Sequence, residues 1–146
     1  MQPGLYILFA LLIGVISAIY LPMNSSVSKY FGSPLTANVS FYFVALITSI
    51  VLFLFYGEFE TIYNFKNVPP HLFLTGFISA FIVLGITFLI PILGVRQLFI
   101  LSITGQILMA MIVSHFGVLE SPIDPISLRK IIGAIFLIVG AIVSVT

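Results

Sequence analysis

The sequence predicts an all-α integral membrane protein, a bundle of five transmembrane helices forming one membrane domain over residues 1–146. Two observations predict it. Five basic and four acidic residues cut the chain into the uncharged runs 1–28, 30–57, 67–95, 97–119 and 131–146. A helix rising about 1.5 Å per residue needs roughly 20 mostly apolar residues to cross a hydrocarbon core of about 30 Å, and the first four runs meet that length. The fifth meets it when its helix starts near Ser127, with Arg129 and Lys130 at the interface. The second observation is composition. With 61% hydrophobic and 6% charged residues, the chain has too little charge to cover a water-facing surface. Backbone polar groups in lipid must be satisfied within the span, which selects helices.

The first span runs from about Leu5 to Met23, and its helix is read on to Phe31, giving 5–31. It lacks a basic leading region and its apolar stretch continues past Ala18, so it is expected to be retained rather than cleaved as a signal peptide. Gly32-Ser33-Pro34 reads as a helix stop and restart, since Gly suits a left-handed end position and Pro the first turn of a new helix. The second span covers 35–56. Gly57 to His71 is the longest polar connection and ends in Pro69-Pro70. The third span, 72–91, meets the fourth, 97–116, through Leu93-Gly94-Val95-Arg96. Gly117 to Ser127 forms the last loop, punctuated by Pro122 and Pro125. Ser127 is placed to cap the fifth span, 127–146.

Five spans put the N-terminus and the second and fourth loops on one side, with Lys66, Arg129 and Lys130. The first and third loops and the C-terminus lie opposite, with Lys29 and Arg96. Lys and Arg bias sets orientation, and a difference of one residue is a weak bias. It is compatible with a single topology set by other signals, or with insertion both ways and pairing with an inverted copy.

Several function classes are excluded. The basic residues are too few and too dispersed to neutralise a nucleic-acid backbone. Absence of Cys removes disulfides, thiolate metal sites and cysteine catalysis. His71 and His115 stand in different segments, so no metal-ligand cluster is read. No nucleophile–base pair or phosphate-binding Gly-rich loop is present either; no catalytic residue, metal or cofactor is expected. No span carries Asp, Glu, Lys or Arg in its middle, where an ionisable residue would mark a proton relay or cation site. Proton-coupled export of cations through a buried carboxylate is therefore disfavoured.

Polar residues inside the spans mark the candidate pathway. Ser102, Gln106, Ala110 and Ser114 recur every four residues in the fourth span, with Thr104 and Gly105 beside them. Gln106 carries an amide that hydrocarbon cannot satisfy, so it must line a wet cavity or bond another helix. His115, near the end of that span, is expected to meet water or the following loop. The end of the first span is a second polar focus: Tyr20, Pro22, Asn24, Ser25, Ser26 and Ser28. Pro22 frees a carbonyl one turn earlier, and Pro-interrupted spans of transporters often border binding sites. Asn24, Asn38 and Ser40 are expected to approach one another across the first turn. Ala10, Gly14 and Ala18, and Gly133 and Gly140, line helix faces with small side chains, for packing within one subunit or between two.

The string from Asn24 through Gly32-Ser33-Pro34-Leu35 to Ser40-Phe41 resembles the front of the small YdcZ-like members of the drug/metabolite transporter superfamily. Leu93-Gly94, Gly105-Gln106, His115-Phe116-Gly117, Pro125 to Arg129, Gly133 and Gly140 continue the resemblance in the family's order. Two positions depart from it: Tyr20 stands where family members commonly carry Gln, and Ser114 where an Asp is frequent. The second departure removes a carboxylate that could have coupled transport to an ion. The resemblance implies a five-helix bundle equivalent to half of a ten-helix transporter, completed by an inverted partner. The expected function is a bacterial inner-membrane small-molecule transporter, a multi-pass homodimer in the lipid bilayer that works by alternating access. Its expected substrate-binding residues are Tyr20, Asn24, Ser102, Thr104 and Gln106. The alternatives are a non-transporting assembly or regulatory subunit, or a lipid scramblase.

Overall fold

The computed structural model describes residues 3–145. Five helices account for most of them: α1 (Pro3–Phe31), α2 (Pro34–Tyr56), α3 (Leu74–Leu93), α4 (Val95–Phe116) and α5 (Leu128–Val145). Each is long and apolar enough to cross a membrane. The expected all-α fold with five candidate spans is therefore present, and the helix ends lie within a few residues of those read from the sequence. The third helix starts later than expected, after a 3-10 turn at Pro70–Phe73, and continues past Pro91 to Leu93. At 29 residues, α1 is about 43 Å long at about 1.5 Å per residue, more than a hydrocarbon core of about 30 Å. Such a helix tilts or projects beyond the core.

The breaks between helices follow from local chemistry. Gly32 takes a left-handed conformation (φ +68°), and the Ser33 N–H then bonds the Ser28 carbonyl at 3.1 Å, closing the end of α1. Ser33 caps the next helix by accepting from the Thr36 N–H at 3.4 Å, with Pro34 in its first turn. Between α3 and α4 a single residue turns the chain: Gly94, with φ +80° and ψ 156°, a region open essentially only to glycine. At the end of α4, Gly117 is left-handed (φ +62°), and so is Leu119 (φ +59°). The left-handed region is strained for a residue with a Cβ.

Contacts divide the chain into two compact units, 1–92 and 93–146. In the first, α1 and α2 pack as a hairpin, and side-chain hydrogen bonds tie both to α3. In the second, α4 packs on α5 and on the 3-10 turn Val118–Glu120.

Burial runs opposite to that of a water-soluble protein. Among the described residues, the buried side chains of the first unit are Leu21, Asn24, Ser25, Ser28, Ala37, Val83 and Thr87; those of the second are Leu98 and Ala141. Most are small or polar. Large apolar side chains face outward, and at most 11% of any span's apolar window is buried. Lipid tails are as apolar as Leu, so burying Leu against Leu gains little in a bilayer. Helices there associate through small residues and interhelical hydrogen bonds.

Candidate functional site

The hydrogen bonds of the first unit converge on one stripe of α3. Ser79, Val83 and Thr87 are spaced by four, which keeps them on one slowly turning face. Thr87 is fully buried. Its Oγ1 accepts from Asn24 Nδ2 at 2.8 Å and donates to the Val83 carbonyl at 2.8 Å. Its own carbonyl accepts from Ser25 Oγ at 3.2 Å. Two turns away the Tyr42 hydroxyl and Ser79 Oγ share a 2.6 Å bond. Asn38 Nδ2 donates to the Ala80 carbonyl at 3.3 Å, leaving a buried Oδ1 with no partner among the described residues.

Thr87 and Ser79 escaped the sequence reading. The signal was present: Thr75, Ser79 and Thr87 are the hydroxyl side chains of an otherwise apolar span and share a spacing of four or its multiple. Thr87→Val keeps the shape of the side chain but removes the acceptor of a buried amide N–H. An unmet buried polar group costs about 1–3 kcal/mol. The variant is expected to unfold correspondingly earlier in detergent, whereas Thr87→Ser, which restores the acceptor, should recover most of the loss. Equal stability of Thr87→Val and wild type would show that the bond contributes nothing.

Tyr20, Asn24 and Ser40 line one cavity of about 280 Å³ with Met23, Val27, Phe41 and Val44. Tyr20 and Phe41 stack with centroids 6.0 Å apart and planes at 15°. Tyr20 is 38% exposed and Asn24 6%. The Asn24 Nδ2 is engaged by Thr87, while its Oδ1 takes part in no hydrogen bond among the described residues. Asn38 is not in this group. It lies about 200° around α2 from Ser40, on another face, and bonds α3 instead. The cavity thus has aromatic and aliphatic walls, two hydroxyls and an amide, and no charged side chain.

The other expected site residues lie on α4. Ser102 and Thr104 are half-buried and Gln106 is exposed. Thr104 is about 200° from Ser102 around the helix, and its Oγ1 is taken by the Ile100 carbonyl of its own helix at 2.7 Å. Ser102 and Gln106 share the stripe that leads to Ala110 and Ser114, and neither makes a side-chain hydrogen bond among the described residues.

That stripe ends at a closed loop. Ala110 and Ser114 border a cavity of about 210 Å³ with Ile107, Met111, Asp124 and Lys130. Lys130 forms an ion pair with Asp124 Oδ1 and donates to the carbonyls of Asp124 at 3.3 Å and Pro125 at 2.8 Å. Its three N–H groups have three acceptors, so it fastens the loop rather than offering a free cation. The Asp124 N–H bonds the Ser114 carbonyl at 2.9 Å. His115 Nδ1 accepts from the Ile126 N–H at 3.1 Å. His115 therefore meets the following loop, as expected.

Five lipid-compatible helices, with polar side chains gathered on packed faces and in an uncharged cavity of the first unit, define a multi-pass helical membrane protein. The chain belongs to the family described as "Putative inner membrane exporter, YdcZ", whose model matches residues 5–143. The family description agrees with the resemblance read from the sequence. It places the protein in the inner membrane, among exporters. No curated protein and no solved structure matches the chain.

Proposed function

We propose that the protein exports a small molecule across the inner membrane as an inverted homodimer working by alternating access, with its site near the midplane between the two copies. The observation that carries this reading is Gln106. It stands in the middle of an apolar span, exposed and without a hydrogen bond among the described residues. A side-chain amide facing hydrocarbon would lose its water without compensation, so this face of α4 borders water, substrate or another subunit. Gln106 and Ser102 line the pathway on α4, with Thr104 at its margin; Tyr20 and Asn24 contribute the uncharged aromatic cavity of the first unit. A pathway without a buried countercharge favours neutral, zwitterionic or amphipathic molecules over small hard cations. One copy would rock against the other to expose the site to each side in turn.

The odd number of spans and the nearly even Lys and Arg count support the inverted pairing. A C-terminal reporter pair, one active in the cytoplasm and one outside, is expected to give signal on both sides. Adding two Lys to the loop around Gly94 should shift the ratio. A strictly one-sided signal from the unaltered chain would rule out pairing with an inverted copy of itself.

A further inference from the structure

The connection between α2 and α3, polar by composition, is not an open loop. Phe59–Asn67 forms nine residues of 3-10 helix, opened by the Thr61 N–H bonding the Glu58 carbonyl at 3.0 Å. A 3-10 helix has three residues per turn, so side chains at i and i+3 eclipse. That periodicity sorts the segment into three stripes: Phe59, Ile62 and Phe65; Glu60, Tyr63 and Lys66; Thr61, Asn64 and Asn67. The first stripe is wholly apolar and the third wholly polar. Counted at the α-helical period of about 100° per residue, Phe59, Ile62 and Phe65 also fall on one side, but Lys66 falls between Phe59 and Ile62; the three-residue period moves that charge off the apolar stripe.

The apolar stripe is uncovered. Phe59 and Ile62 are each 55% exposed and Phe65 is 66% exposed. Both its ends continue into the membrane-spanning part of the chain. Phe59 meets Phe53 of α2 edge-on at 5.2 Å, and Phe65 lies 4.8 Å from Phe73, just before α3. The stripe therefore extends the lipid-facing surface of two spans around the bend between them. An amphipathic helix with Phe and other apolar side chains on one face lies in the boundary between headgroups and acyl chains with that face down.

We infer that Phe59–Asn67 is an interfacial segment whose partner is the bilayer surface, with Phe59, Ile62 and Phe65 seated at the top of the acyl chains and Thr61, Asn64 and Asn67 in water. Apolar burial drives the contact: Glu58 and Glu60 outnumber Lys66, so attraction to anionic lipid does not. The segment fixes the depth at which α2 ends and α3 begins.

The chain contains no Trp, which makes the test direct. Ile62→Trp, Phe65→Trp and Asn64→Trp proteins are reconstituted as full chains in phosphatidylcholine vesicles. Trp at 62 and 65 is expected to emit at shorter wavelength than at 64. Lipids brominated near the top of the acyl chain should quench emission from 62 and 65, and aqueous iodide should quench emission from 64. Equal iodide quenching at 62 and 64 would overturn the inference by placing the segment in water. Emission from 62 that is blue-shifted yet shielded from both quenchers would overturn it by placing the stripe against protein.

Discussion

Gln106→Leu is expected to leave the protein folded while abolishing ligand binding and export. Its amide is exposed on α4 and bonds nothing among the described residues, so replacing it by Leu strands no other group. A stability screen supplies the readout, since a ligand that binds the folded state raises apparent stability by mass action. Compounds that raise the melting temperature of the unaltered protein should give no shift with Gln106→Leu. If Gln106 instead bonds a neighbouring helix, the loss would be about 0.6 kcal/mol of stability and binding would persist. Thiol accessibility separates the cases without a known substrate, in a chain free of native Cys. Single Cys at Tyr20, Ser102 and Gln106 should react with water-soluble reagents. Cys at Leu101, which is 47% exposed but apolar and lipid-suited, should not. Four equally inert positions in folded protein would remove the wet pathway.

Gly117→Ala is expected to cost about 2 kcal/mol of stability, mainly because the left-handed region penalises a Cβ by about 1–2 kcal/mol. Gly117 ends α4 with φ +62°, and a Cβ there would stand 2.6 Å from Ile123 Cγ1 and 3.5 Å from the Ser121 carbonyl oxygen. Ile123 is 73% exposed and has room to turn away, so the backbone term outweighs the clash. The same substitution in an Ile123→Ala background should therefore keep more than half of its cost. Unfolding in detergent measures both. A neutral Gly117→Ala would mean that this turn, with the Ile126–His115 and Asp124–Ser114 bonds it sets up, contributes nothing to stability.

The spans were legible because their cause is local. A bilayer demands about 20 apolar residues per helix, and charge is tolerated only between spans, so the uncharged runs mark the helices within a few residues. The turn at Gly32-Ser33-Pro34 was legible for a similar reason: its conformation belongs to the residues themselves. Motif order likewise pointed to the exporter family. Partnership is different. Asn24 looked like a pathway residue from its place beside Pro22, but only the packing of α1 on α3 showed its amide nitrogen held by Thr87. Asn38 and Ser40 looked equally close to Asn24, and the direction in which α2 presents each face separated them. The connection 57–71 read as polar because Glu58, Glu60, Thr61, Asn64, Lys66 and Asn67 stand between its apolar residues, and only the winding of 59–67 as a 3-10 helix shows Phe59, Ile62 and Phe65 on one stripe clear of Lys66. Sequence alone determined which segments enter the membrane, because each segment meets lipid one at a time. Tertiary structure decided which polar groups satisfy one another and which are left without a partner among the described residues, because a hydrogen bond depends on two side chains whose separation along the chain says nothing of their distance.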